Sequence, residues 1–136
     1  MENQMSALLK NYGLKATPQR TVILKEITEA GHINVENLYE KVKEKLPTTS
    51  LATIYKNVHS LVESNLLTEL FIEGRKTMYE IDKGYHVHLI CSKCGRVNDF
   101  FMGSEDLIEF FSAYIDNKIT LVTANIYYIC NNCLQS

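Results

Sequence analysis

Every cysteine in this chain belongs to one of two C-x-x-C pairs, Cys91/Cys94 and Cys130/Cys133, and His86-x-His88 stands just ahead of the first. A C-x-x-C turn brings two thiolates within reach of one ion, so two such turns make a tetrahedral sulfur cage suited to Zn²⁺. Four thiolates leave no open coordination position, which makes such a site structural, with one ion per chain. In an extended strand His86 and His88 point to the same face, because side chains alternate with period two. The stretch therefore offers two sites of different chemical hardness, a closed one of sulfur and an open one built on imidazole.

With 136 residues, 46% of them hydrophobic and 22% charged, the chain has the composition of a folded soluble protein. It can hold one ordinary domain or two small ones, each too short to bury a large core. The segment Met1 to Lys10 lacks an apolar signal-peptide region, and no run approaches the ~20 apolar residues of a membrane span. A cytoplasmic location without a membrane partner is the expectation. Reducing conditions there favour metal over disulfides at paired cysteines; two disulfides in a secreted protein are the competing reading. A net charge of −2 does not announce a nucleic-acid binder. The local balance differs. Lys10, Lys15, Arg20 and Lys25 share a window without acids, as do Lys45 and Lys56, while Glu36, Glu40 and Glu44 collect between the two windows.

Four helices are expected to lead the chain. The first carries Met5, Leu8, Leu9 and Tyr12 over residues 5–12 and ends at Gly13. Thr17-Pro18 reads as an N-cap and first helical position, with Gly31 as the stop. Asn34 caps a third helix that ends at Pro47. Ser50 caps a fourth, from Leu51 to Ser64, with Leu51, Ile54, Tyr55, Val58, Leu61 and Val62 as its apolar set. Its other face, Ala52, Thr53, Lys56, Asn57 and Ser60, is small and polar, suited to base edges or phosphates. An ordinary solvated face is the alternative.

After Asn65 the period turns to alternation. Leu67–Ile72 and Lys76–Ile81 flank Glu73-Gly74 as a hairpin with Arg75 and Lys76 at its tip. Helices followed by a two-stranded ribbon with a basic tip describe a winged helix-turn-helix. Past Asp82-Lys83-Gly84 a second unit is expected: strands His86–Cys91 and Arg96–Met102, a helix capped by Ser104, then strands Lys118–Val122 and Asn125–Ile129. Leu107, Ile108, Phe110, Phe111, Tyr114 and Ile115 give that helix more apolar surface than so small a unit can cover, which suggests pairing with a second copy. The expected class is α+β: a winged-helix DNA-binding domain at 1–82, a hinge at 83–85, and a small α/β dimerisation and zinc-binding domain at 86–136.

Three stretches resemble the ferric-uptake-regulator family of metal-dependent repressors. They are Leu14-Lys15-Ala16-Thr17-Pro18-Gln19-Arg20, Ser50-Leu51-Ala52-Thr53-Ile54-Tyr55-Lys56-Asn57, and His86-x-His88-x-x-Cys91-x-x-Cys94-Gly95. With Cys130-x-x-Cys133 closing the chain, they occur in the family's order. The resemblance implies a homodimer on inverted-repeat double-stranded DNA, with Tyr55 at a base in the major groove and Lys15 near the minor groove. Lys15, Arg20, Ser50, Thr53, Tyr55, Lys56, Asn57 and Arg75 are the candidate DNA contacts. It also maps His32, Glu80 and Asp99 beside His86 and His88 as the ligands of one regulatory ion per chain. Three imidazoles and two carboxylates suit Fe²⁺ or Mn²⁺.

Where family members carry a further metal site, this chain has Tyr85 and Val87 interleaved with the pair and no histidine after His88, so that site is expected to be absent. Aspartate at Asp99 leans towards the family's peroxide-responsive repressors, which sense through metal-catalysed histidine oxidation. Glutamate at Glu80 leans towards its iron-responsive members, the alternative. A metalloenzyme or a zinc-ribbon interaction module is a remoter one: neither five protein ligands without an adjacent base nor a polar-faced helix with a wing fits those roles.

Overall fold

The computed structural model describes residues 2–135. The chain divides into two compact units, Met1–Asp82 and Lys83–Ser136.

The first unit is built on helix starts that local side chains satisfy. Helix α1 spans Glu2–Asn11, earlier than the apolar spacing suggests. Helix α2, Pro18–Ala30, begins where Thr17 accepts a hydrogen bond from the Arg20 amide and proline takes the first turn. It stops at Gly31, whose φ of 81° is a left-handed conformation that residues with a Cβ rarely adopt. Asn34 caps helix α3, Val35–Lys45, through the Asn37 amide, and Ser50 caps helix α4, Leu51–Glu63, through the Thr53 amide. One buried cluster joins these helices, with Leu9, Ile23, Ile27, Leu38, Ile54 and Leu61 at its centre.

The ribbon departs from the expected form. Residues Ile33–Asn34 form a short strand, β1, that pairs antiparallel with β3, Met78–Ile81. Strand β2, Leu67–Leu70, pairs with the other edge of β3, so the sheet has three strands in the order β1-β3-β2. The expected strands ran to Ile72 and from Lys76; regular pairing instead ends at Leu70 and resumes at Met78. The turn sits in this longer loop, where the Arg75 amide donates to the Ile72 carbonyl and Gly74 takes φ 80°. Helices α2, α3 and α4 with this sheet make a winged helix.

In the second unit, strand β4, Val87–Cys91, is central. Strand β5, Val97–Phe100, pairs with it antiparallel, and β6, Asn125–Tyr128, pairs with it in parallel, giving the order β5-β4-β6. Helix α5, Ser104–Ser112, lies in the connection from β5 to β6, and a single turn, α6, spans Asn131–Leu134. Two expectations need correction here. Ser104 is the first residue of α5 rather than its cap: Gly103 holds the cap position, and the Ser104 hydroxyl donates to Glu105 instead. Lys118–Val122 is irregular, despite its β-branched residues. Strand propensity needs a ladder to realise it; among the described residues no strand pairs with this segment, and the Val122 carbonyl accepts the Tyr85 hydroxyl at 2.6 Å.

No side chain of α5 is buried, and Phe110, Phe111, Tyr114 and Ile115 are all exposed. The fold is thus α+β, a winged helix followed by a small mixed unit. No helix among the described residues is long and apolar enough to cross a membrane.

Candidate metal centres and nucleic-acid interface

The zinc cage forms where β4 ends and α6 begins. After Cys91 the chain turns so that the Gly95 amide donates to the Cys91 carbonyl, with Gly95 at φ 79°. That turn delivers the Cys94 amide to the Cys91 sulfur, and the Cys130 amide reaches the same sulfur at 3.4 Å. Parallel pairing of β4 with β6, which sets Cys91 opposite Tyr128, carries the second C-x-x-C alongside the first. Cys91 Sγ lies 3.8 Å from Cys133 Sγ, and Cys94 Sγ lies 3.9 Å from Cys130 Sγ. All four sulfurs fall within 4.8 Å of one another.

A tetrahedron with Zn–S bonds of about 2.3 Å has edges of about 3.8 Å, so the spacing fits the ion. The acidities fit as well. Amide donors from Cys130 and Cys94 hold the Cys91 thiol down to about 5. Hydrogen bonding with Cys130, then burial, pushes the Cys133 thiol up to about 12. Four crowded sulfurs cannot all carry charge without a cation among them, and a divalent ion at the centre removes that constraint. The cluster has the donor set and spacing typical of structural zinc.

A second cluster lies on the same unit. In the β4–β5 register His88 sits directly opposite Asp99, so both side chains leave one face of the sheet. The His86 ring stands edge-on to His88, with centroids 4.7 Å apart, and packs against Phe101. His86 Nδ1 lies 2.9 Å from the Gly84 carbonyl, an acceptor that places the proton on Nδ1 and the lone pair on Nε2. His86 Nε2 and His88 Nε2 are 3.2 Å apart, and Asp99 Oδ1 lies 3.5 Å and 3.6 Å from them. Two nitrogens on one ion at bonds of roughly 2.1 Å are separated by about 3.0 Å in an octahedron and 3.4 Å in a tetrahedron. The spacing suits a metal, and the nitrogen–oxygen donor set suits a harder one than the sulfur cage takes.

The other two mapped ligands, His32 and Glu80, belong to the first unit. Glu80 on β3 is buried, and His32, just beyond the α2 stop, meets its carboxylate at 2.9 Å. A buried carboxylate needs a charged or hydrogen-bonding partner. His32 is therefore a mostly buried residue held against a buried carboxylate. His59 is exposed and pairs with Glu63 on its own helix.

On the first unit, α4 buries Ile54, Val58 and Leu61 and leaves Leu51, Tyr55 and Lys56 exposed. Tyr55 thus lies outside the apolar stripe that helical spacing assigned it to. Its hydroxyl donates to Glu36 at 2.8 Å, and Glu36 also meets Lys76 at 3.8 Å. The Tyr55 bond holds the Glu36 carboxyl below its usual range and raises the Tyr55 phenol. Nothing in local spacing connects Glu36 to Tyr55, and sequence reasoning missed it. Ser50 and Thr53 share the N-cap of α4 with linked hydroxyls. Lys15 and Arg75 are exposed.

Arg20 and Asn57 do something more specific than face solvent. Arg20 Nε donates to Asn57 Oδ1 at 3.1 Å, Arg20 Nη1 donates to the Lys15 carbonyl, and Asn57 Nδ2 donates to the Thr53 carbonyl. Both ends of the Asn57 amide are engaged within the fold, which fixes its orientation. It braces α2 against α4. Asn57→Ala is expected to destabilise the first unit by about 1–2 kcal/mol in urea unfolding, because one lost partner carries charge. It should weaken DNA binding uniformly across operator variants without reordering them.

A winged helix coupled to a unit that carries both a zinc cage and an imidazole–carboxylate cluster defines a metal-dependent DNA-binding regulator. The ferric uptake regulator family model matches residues 11–129, and the chain belongs to that family. The peroxide operon regulator of Bacillus subtilis is 31% identical over 127 residues, covering 92% of this chain and 88% of its own. The ferric uptake regulation protein of Campylobacter upsaliensis is 32% identical over 134 residues, covering 93% and 84%. Among solved structures, the peroxide stress regulator of Campylobacter jejuni superposes with a TM-score of 0.70 at 34% identity, covering 93% of this chain and 97% of that one. Family members are transcription regulators, and this chain is a regulator rather than an enzyme.

Proposed function

We propose that the chain acts in the cytoplasm as a homodimeric repressor that binds an inverted repeat in double-stranded DNA when loaded with Fe²⁺ or Mn²⁺, and that peroxide releases it. The observation that carries this reading is the convergence of His86 Nε2, His88 Nε2 and Asp99 Oδ1 on one face of the second unit. His32 and Glu80, paired with each other in the first unit, are the further nitrogen and oxygen ligands that the family resemblance assigns to the ion. An ion that binds the DNA-competent state more tightly would shift the dimer towards the form whose two α4 helices match the half-sites. Without the ion, affinity for DNA falls. In this reading the exposed apolar side chains of α5 form the dimer contact, and Lys15, Ser50, Thr53, Tyr55, Lys56 and Arg75 face the DNA, with Arg20 and Asn57 bracing behind them.

Identity alone does not separate peroxide from iron, since relatives named for each stand at 31% and 32%. The preponderance of peroxide regulators among the similar proteins and Asp99 together favour peroxide. Iron held by these residues would catalyse peroxide reduction, with the imidazole as the net two-electron donor. One oxygen atom of hydrogen peroxide would then be inserted at an imidazole C–H of His32 or His86, and the other would leave as water.

Treating Fe²⁺-loaded protein with micromolar peroxide is expected to add the mass of one oxygen atom to His32 or His86 and to abolish the operator gel shift. The Mn²⁺-loaded protein should show neither change. Unmodified histidines with unaltered DNA binding would leave the iron-responsive reading in its place.

A further inference from the structure

Asp99 uses its two oxygens for different purposes. Oδ1 faces His86 and His88, whereas Oδ2 accepts a hydrogen bond from the Lys83 ammonium. The carboxylate is largely buried, at 13% side-chain exposure, while Lys83 reaches it from a partly open position at 36%. Lys83 lies in the polar run before β4 and belongs to none of the metal-ligand motifs.

We propose that Lys83 is a positioning residue that holds Asp99 to one-oxygen ligation and so keeps one coordination position of the regulatory ion free of protein. The inference rests on the metal site put forward under Proposed function and deepens it. For both oxygens to bind one ion, Oδ2 must swing towards it, away from its present partner. A charge-assisted bond to an ammonium opposes that swing, as groups behind a metal ligand commonly fix its orientation. With His32, Glu80, His86, His88 and Asp99 each giving one donor, the ion is five-coordinate and keeps a sixth position open to peroxide. A second oxygen from Asp99 would fill it. The ammonium also places a positive charge near the ion, which lowers metal affinity. Lys83 thus trades binding strength for an accessible coordination position.

The test uses full-length zinc-loaded protein as wild type, Lys83→Met and Lys83→Arg, with Co²⁺ as the optical probe and Mn²⁺ for calorimetry. Wild type should take up one Co²⁺ beyond its zinc, with the strong d–d absorption of a five-coordinate ion. Lys83→Met should show a clearly weaker band, because six-coordinate fields are closer to centrosymmetric, and should bind Mn²⁺ about tenfold more tightly as the opposing charge is lost. Lys83→Arg keeps the cation and should match wild type. A Lys83→Met protein with the wild-type band, or with equal or weaker Mn²⁺ affinity, overturns the role given to Lys83 and leaves the metal site standing. Wild type that takes up no Co²⁺ beyond zinc removes the site itself.

Discussion

Cys91→Ser protein will purify without zinc, with its second unit unfolded and its dimer lost, while the helices of the first unit remain. Cys91 is buried, accepts two backbone amides at its sulfur and touches Cys133 across the cage. Serine offers a hydroxyl that does not ionise at neutral pH and is a poor zinc ligand. The second unit has little else to hold it. Its fully buried aliphatics are Val87 and Ile90, and α5 buries nothing. Structural zinc is worth about 10 kcal/mol or more of apparent folding free energy, comparable to the whole stability of an ordinary domain. The first unit keeps its own core, with Ile23, Leu24, Ile27, Leu38 and Leu61 out of solvent. Elemental analysis should fall from one zinc per chain to none, hydrogen exchange should lose protection past Lys83, and sedimentation should report monomer. A variant that retained zinc and its dimer would show that the apolar residues suffice.

His88→Ala is the converse case: zinc stays, and the response to added metal disappears. His88 stands opposite Asp99 in the β4–β5 register with its Nε2 beside that of His86, so truncation removes the middle donor of the cluster. Removing groups that merely support a ligand costs about 10–100-fold in metal affinity, and removing a ligand itself should cost at least the upper end of that range. Because the cage lies further along β4, one zinc per chain should be retained as in wild type. Gel shifts on an inverted-repeat operator should become equally weak with and without Mn²⁺. Metal-dependent binding that persisted in His88→Ala would exclude this cluster as the sensor.

Features that depend on a few consecutive residues were readable from the chain itself. Thr17, Asn34 and Ser50 each satisfy an amide three residues ahead, and Gly31 supplies the left-handed stop. Such interactions form within one helical turn, so composition and spacing determine them. The four cysteines were legible for a similar reason: each C-x-x-C is a local turn, and few chemistries other than metal use two of them. The excess of apolar residues on α5 was equally plain, because periodicity counts surface whether or not a partner is present.

What the tertiary structure decided involves residues far apart in the chain. Spacing put Tyr55 with the apolar stripe of α4, yet packing buried Ile54, Val58 and Leu61 and left Tyr55 outside, tied to Glu36 from another helix. Spacing placed Asn57 on the polar face of α4, and only folding brought Arg20 of α2 to it. Ile33–Asn34 became a strand only because β3 offered an edge, and Lys118–Val122 failed to become one because none did. Lys83 read as a hinge residue until the β4–β5 pairing delivered Asp99 beside it. The division has one cause. A turn or a cap is closed by its own neighbours, whereas a ladder, a brace or a second oxygen's partner exists only once distant segments have been brought together, and the folded register selects which residues meet.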